Sequence, residues 1–292
     1  MKKFNLADMK KFEVGGQRRT YDLHLPPDYG AVELPLVMLM HGGGGNARTV
    51  EYVSQMSELA DKEGFIVCYP NGYGRTETTV FYSWNTQFCC GFATQDQSND
   101  LLFLKELTHH LLEEYLVDRS QVFAAGISNG GMMAHWLGAE MSGSYAAVGV
   151  IAGAIGGSPA EGRQEIQVND PLGPVSVVLI HGKQDSVVPY KGGLGKPGQF
   201  HSVRSFEDSI LFWVTHNQCS LVPVTEELAG GAVVRRTYTG GEEGTEVVAY
   251  VLNNGTHAWP GGRKGITLAG APSNDLQATH VLWEFFQSHP KL

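Results

Sequence analysis

The stretch "QVFAAGISNGGMMA", Gln121–Ala134, decides the fold. Its first half is a short apolar run bounded by glycine, the mark of a buried strand. Its second half reads as a helix, Gly130 to Glu140. Between them Gly126-Ile127-Ser128-Asn129-Gly130 spells G-x-S-x-G. Alone that pattern is weak in a glycine-rich chain. At a strand-to-helix turn it reads as a nucleophile elbow, in which the glycines relieve crowding and the serine is thrust out above the sheet.

Working outward, strands and helices alternate. "FEVGGQRRTYDLHLP" is an opening hairpin that turns at Gly15-Gly16. "LPLVMLM" and "FIVCYP" are buried strands, and helical spacing runs from Val50 to Glu63 between them. "SNDLLFLKELTHHLLEEYLVD" is a long helix capped by Ser98 or Asn99. "AAVGVIAG", "VSVVLIHG", "VVRRTYT" and "EVVAYVLN" are further strands. Helices are expected near Val203–His216 and over Asp275–Gln287. Alternation of this kind implies a mostly parallel central sheet with helices on both faces. Functional sites in such sheets form beyond the carboxyl ends of the strands.

Composition bounds the rest. With 292 residues, 42% of them hydrophobic, the chain can build one large core, and residues 1–292 read as a single domain. A net charge of −9 argues against nucleic acid and anionic lipid as partners. No apolar run is long enough to span a bilayer. The start, "MKKFNLADMKKFEVGG", lacks the apolar stretch of about 7–15 residues of a signal peptide. The chain is therefore expected to be cytoplasmic, or secreted or periplasmic if a leader has been removed.

A serine hydroxyl needs a base, and in a chain with this elbow the order is serine, acid, histidine. Asp170, Asp185 and Asp208 are the acids within reach, and His201, His216, His257, His280 and His289 the bases. Asp185 follows the strand "VSVVLIHG", and His257 follows "EVVAYVLN" in the loop "NNGTHAWPGG". Both sit at strand carboxyl ends, as Ser128 does. Asp170 precedes its strand, whereas Asp208, His216 and His280 fall in helices. The expected catalytic set is Ser128, Asp185 and His257.

The glycine run "VMLMHGGGGNART", Val37–Thr49, has two readings. As a phosphate loop it fails, because Ala47 and Arg48 stand where the second glycine and the lysine belong. As a source of bare N–H groups for an oxyanion it fits. Gly43 is the best donor, with Gly44 next, and Asn129 N–H supplies the other. No H-E-x-x-H is present, and His109 and His110 are adjacent and diverge on their helix. No metal and no cofactor are expected.

Together "HGGGGN", "YPNGY", "SWNTQFCCG", "DRSQVFAAGISNGGMMA", "HGKQDSVVPY" and "THAWPGG" resemble bacterial carboxylesterases grouped with polyhydroxybutyrate depolymerases and feruloyl esterases. The resemblance runs from about residue 20 to the C-terminus. It implies an α/β-hydrolase fold with no large lid domain, and a serine esterase acting on small or oligomeric esters. Hydroxycinnamoyl and short acyl esters are favoured, with polyester oligomers as the alternative. A serine peptidase or a noncatalytic binding protein is a weaker reading. The linker and substrate-binding domain of many secreted depolymerases are not seen. Fungal feruloyl esterases can carry linked cysteines beside the nucleophile and the base, where this chain has Ile127 and Thr256.

Relatives of this type have cysteines near Cys89, Cys90 and Cys219, so one of the adjacent pair is expected to bridge to Cys219. In a reducing compartment all four cysteines would be free. Cys68, in "FIVCYP", is expected to be a buried thiol. Trp84 and Trp259 are expected to wall the substrate pocket, with Tyr73, Phe81 and Tyr82 as further aromatics.

Overall fold

The apolar runs become the inner strands of one ten-stranded sheet. The computed structural model describes residues 8–76, 79–160, 163–195, 201–265 and 269–291. The first residues of the chain, read above for a leader, lie outside that set. In chain order the strands are β1 (Lys10–Val14), β2 (Gln17–His24), β3 (Leu34–Met40), β4 (Ile66–Pro70), β5 (Val117–Ile127), β6 (Ala147–Ile151), β7 (Gly156–Ser158), β8 (Ile166–Gln167), β9 (Ser176–Gly182), β10 (Gly193–Leu194), β11 (Ser202–Val203), β12 (Val224–Leu228), β13 (Val233–Tyr238) and β14 (Val247–Leu252). The helices are α1 (Ala47–Ser54), α2 (Met56–Glu63), α3 (Gly91–Gln95), α4 (Asp100–Glu114), α5 (Asn129–Glu140), α6 (Phe206–His216) and α7 (Ala278–Ser288).

The large sheet runs β1-β2-β4-β3-β5-β6-β9-β14-β13-β12. Strands β4 to β14 in that order are parallel, and the pairs at both edges are antiparallel. Alternate residues of each strand feed opposite faces. On β3, Leu36, Met38 and Met40 pack with α4, α5 and α6, through Phe103, Leu107, Met133, Trp136 and Trp213. Val37 and Leu39 pack with α1, α2 and α7, through Val50, Leu59, Leu282 and Phe286. Helices thus cover both faces, which is why the inner strands read as continuous apolar runs. This is the α/β-hydrolase fold.

Two features depart from the sequence reading. The single helix expected over Val50–Glu63 is two, α1 and α2, broken at Gln55 in the left-handed region (φ 58°). The carbonyls that would continue the helix are taken by other groups. Val53 O accepts from Arg263 N–H at 3.0 Å, and Ser54 O accepts from Thr279 Oγ1 at 2.5 Å. A second, four-stranded sheet, β10-β11-β7-β8, lies in the segment between β6 and α6. Its strands are two or three residues long, too short to announce themselves by alternation.

Two fully buried histidines couple this core to pH. His135 on α5 accepts the Trp213 indole N–H at Nδ1 (2.9 Å), and burial lowers its pKa to about 3. Burial likewise lowers His41 to about 4. Unfolded, both titrate near about 6.5. As pH falls from about 6.5 towards 4 the unfolded chain takes up protons that the folded chain refuses, so stability present above that window is lost through it. The urea midpoint is expected to drop between pH 7 and about pH 4.5, and His135→Asn to shallow that dependence. Equal pH dependence in the variant would contradict the assignment.

Candidate active site

The tight turn after β5 is imposed by contacts between backbones. A Cβ on Gly126 would lie 2.3 Å from Gly130 O, and a Cβ on Gly130 would lie 2.4 Å from both Met40 O and His41 O. Only glycine admits such an approach. Between them Ser128 holds φ 57° and ψ −125°, a conformation that costs a non-glycine residue about 1–3 kcal/mol. Its N–H donates to Ile151 O at 2.8 Å, and its carbonyl accepts from Met132 N–H at 2.8 Å, which fixes the turn.

Asp185 and His257 arrive on neighbouring strands, since β9 pairs with β14 in parallel. The loops that follow are locked together by a glycine contact. A Cβ on Gly182 would lie 2.2 Å from Gly255 O, and Gln184 N–H donates to that same oxygen at 2.9 Å. His257 Nδ1 then lies 2.7 Å from Asp185 Oδ2, and His257 Nε2 lies 2.8 Å from Ser128 Oγ. Asp185 Oδ1 accepts the N–H groups of Val187 and Val188 at 2.8 and 2.9 Å. A second imidazole also reaches the carboxylate: His181 Nε2 donates to Val188 O at 2.9 Å and stands 3.4 Å from Asp185 Oδ2. Burial pushes the Asp185 carboxyl up, but hydrogen bonds from His181 and His257 outweigh it and hold the group well below the carboxylate range.

The rival acids and bases lie elsewhere. Asp170 is exposed, and Asp208 caps α6 through Ser205. His280 is exposed on α7, His289 pairs with Glu246, and His216 closes α6 against Trp213. His201 lies near Cys89 and Cys90.

The glycine run packs on the elbow. A Cβ on Gly42 would meet Ser128 Cβ at 3.3 Å, and one on Gly43 would meet Asn129 Cβ at 3.6 Å. His41 Nε2 accepts Gly72 N–H at 2.9 Å, so the ring proton sits on Nδ1 and is donated to Gly42 O at 2.8 Å. Gly45 N–H also binds Gly42 O, at 2.9 Å. In a trans peptide the carbonyl and the next N–H point in opposite directions. Fixing Gly42 C=O therefore fixes the direction of Gly43 N–H. Gly44 N–H donates to Tyr82 O at 2.8 Å, which removes the alternative donor. Asn129 opens α5, so its N–H is one of the first-turn donors without a helical partner. Arg48, the would-be phosphate ligand, is paired with Asp22 and Glu51.

The aromatic wall expected from Trp84 and Trp259 is not there. Trp84 is fully buried, its indole N–H donates to His41 O at 2.8 Å, and its ring lies 5.0 Å from that of His41. Trp259 is buried with α7 and donates to Thr279 Oγ1 at 3.0 Å. Each indole found an acceptor inside the core, so Trp84 supports the glycine run and Trp259 anchors the His257 loop. Tyr82 is buried and Tyr73 binds Asp96, leaving Phe81 exposed.

The cysteine expectation is also corrected. Cys89 is bonded to Cys90, while Cys219 is a buried free thiol, as is Cys68. Cys219 Sγ points at Thr245 O, just before β14 begins, whereas the adjacent pair sits by Gly43 beyond the strands' carboxyl ends. The two places lie at opposite ends of the sheet. Cys89, Cys90 and His201 bring three possible metal-ligating atoms within 4.8 Å of one another, with the sulfurs already bonded to each other.

Three contributors escaped the sequence reading: His41, His181 and the Asn129 side chain. His41 and His181 each end an apolar strand immediately before a glycine, and that position was the available signal. The Asn129 carboxamide accepts Trp84 N–H at 2.7 Å and donates to Trp84 O and Cys89 O at 3.0 and 3.2 Å. Nothing in the local sequence announces that reach.

Fold and site define an α/β-hydrolase with a serine elbow. The Esterase PHB depolymerase family model matches residues 19–169, just over half of the chain, and the chain belongs to that family. The putative esterase NocK of Nocardia uniformis subsp. tsuyamanensis is 28% identical over 264 residues, 85% of this chain and 73% of that protein. Feruloyl esterase B of Piromyces equi is 26% identical over 79% of this chain, which spans 41% of that longer protein. An acetyl xylan esterase from Aspergillus awamori superposes with a TM-score of 0.59 at 15% identity, over 92% of this chain and 94% of its own. At that identity the likeness concerns the fold. The chain is a serine carboxylic-ester hydrolase. Among the described residues no helix is long and apolar enough to cross a membrane.

Proposed function

We propose that Ser128, His257 and Asp185 form the catalytic triad of an esterase for short-chain and hydroxycinnamoyl esters, with residues 1–292 as one catalytic domain. The observation that carries this reading is the unbroken run of hydrogen bonds from Asp185 Oδ2 through His257 to Ser128 Oγ. His257 Nε2 takes the Ser128 proton as Oγ attacks the ester carbonyl. Asp185 holds the Nδ1–H tautomer and stabilises the imidazolium. Gly43 and Asn129 N–H groups receive the oxyanion. Collapse expels the alcohol, protonated by His257, and leaves an acyl-Ser128 ester. Water, deprotonated by His257, then releases the acid. The family also carries polyester depolymerases by name, so hydroxybutyrate oligomers are the second substrate reading.

Rates on p-nitrophenyl acetate, butyrate, 3-hydroxybutyrate, octanoate, palmitate and ferulate test the substrate class. Activity is expected on acetate and ferulate and should decline beyond medium chain length. A preference for long-chain lipids would overturn it.

His181 belongs to this reading as a positioning residue. The His181 Nε2 proton is donated to Val188 O at 2.9 Å, so the 3.4 Å approach to Asp185 Oδ2 is the weaker arm of a shared donor. His181→Leu should therefore reduce kcat about threefold with KM little changed. A change under twofold in a variant of unaltered melting temperature would remove His181 from the mechanism.

A further inference from the structure

With both tryptophans buried, other side chains must receive the acyl group. A third apolar cluster lies apart from the two faces of the sheet. It joins Phe88, Cys89, Met132, Ala154, Val188 and Val203, with Cys90 and Ile166 packed on it half-buried. Met132 follows Ser128 by four residues and Val188 follows Asp185 by three, so the cluster borders the reacting centre.

The disulfide also borders the glycine run. A Cβ on Gly43 would sit 3.9 Å from Cys90 Sγ, an ordinary contact. The bare Cα of the oxyanion donor thus faces sulfur. His201 completes this side, its ring nitrogen and both sulfur atoms lying within 4.8 Å of one another. The ring is half-buried, and burial lowers its pKa, so it is neutral at pH 7.

Substrate geometry selects the same side. The carbonyl oxygen must face Gly43 and Asn129, and the leaving alcohol must face His257, which protonates it. The acyl group takes the remaining direction, along the wall that flanks the oxyanion donors. Resting on the triad assignment above, we propose that the half-buried Cys90 side of the Cys89–Cys90 disulfide, with His201 beside it and Ile166 packed on the same cluster, is the acyl-binding surface and favours planar, unsaturated acyl groups of the hydroxycinnamoyl type. Divalent sulfur is polarizable and makes favourable contacts with aromatic rings. The neutral imidazole adds an aromatic partner.

The test holds the leaving group constant and reads the ratio of kcat/KM for p-nitrophenyl ferulate to that for p-nitrophenyl acetate. In His201→Ala and in the double variant Cys89→Ser/Cys90→Ser the ratio should fall about three- to tenfold, chiefly through KM for the ferulate. If the double variant does not fold, His201→Ala and Ile166→Ala decide the matter. An unchanged ratio in folded variants, whether through equal loss or no loss, overturns the wall and leaves the triad standing. Ester hydrolysis surviving in Ser128→Ala would instead overturn the triad.

Discussion

Ser128→Ala is expected to lower kcat by on the order of 10⁴ or more, with KM for a p-nitrophenyl ester little altered. The substitution removes Oγ, the one atom that can carry the acyl group, and leaves His257 Nε2 facing a methyl. What survives is binding and the pull of Gly43 and Asn129 N–H on the carbonyl, which together can only assist water. His257→Ala should be comparably damaging, because an un-ionised hydroxyl at neutral pH is a poor nucleophile. His280→Ala should be mild, since His280 is exposed on α7. Purified, folded Ser128→Ala retaining more than a few per cent of wild-type turnover would sink the assignment. So would the reverse order of the two histidine variants.

Gly130→Ala should be severely damaging, as should Gly126→Ala, because each adds a methyl against backbone at the elbow. The new Cβ of Gly130→Ala would lie 2.4 Å from Met40 O and from His41 O, both backbone atoms of the strand end on which the glycine run depends. No rotamer change relieves such a clash, so α5 would have to lift off β3. Destabilisation above about 4 kcal/mol follows from forced movement of packed backbone. For a domain of this size that is a fall in melting temperature of roughly 6 °C or more, or loss of soluble protein. Gly43→Ala is the control, because its Cβ meets nothing closer than 3.6 Å and the melting temperature should stay near that of the wild type. Similar melting temperatures for Gly130→Ala and the wild type would mean the elbow yields more easily than its contacts imply.

The parallel core was legible because its strands are buried on both faces and so read as unbroken apolar runs. The positions of Ser128, Asp185 and His257 were legible for a related reason, each following such a run directly. Long-range satisfaction of polar groups was not. The break at Gln55 depends on Arg263 and Thr279, more than 200 residues away in the chain. Trp84 and Trp259 looked available for substrate because loop aromatics near a site usually are, yet each indole N–H had a partner inside the core. The pairing of Cys89 with its neighbour rather than with Cys219 turned on which end of the sheet each occupies, and spacing does not encode that.

The Asn129 carboxamide has a consequence for how such an enzyme can diversify. In the proposed mechanism one residue lends its backbone N–H to the oxyanion, and the same residue's side chain is bound to Trp84 and Cys89. The segment bearing the sulfur wall is therefore clamped to the donor that serves the chemistry. Substitutions in Thr86–Cys90 and in the glycine run should show strong epistasis, with double-variant losses departing from the product of the single ones. Substrate range in descendants of this chain would then shift most readily through His201 and Ile166, which make none of the Asn129 hydrogen bonds and so carry no part of that clamp.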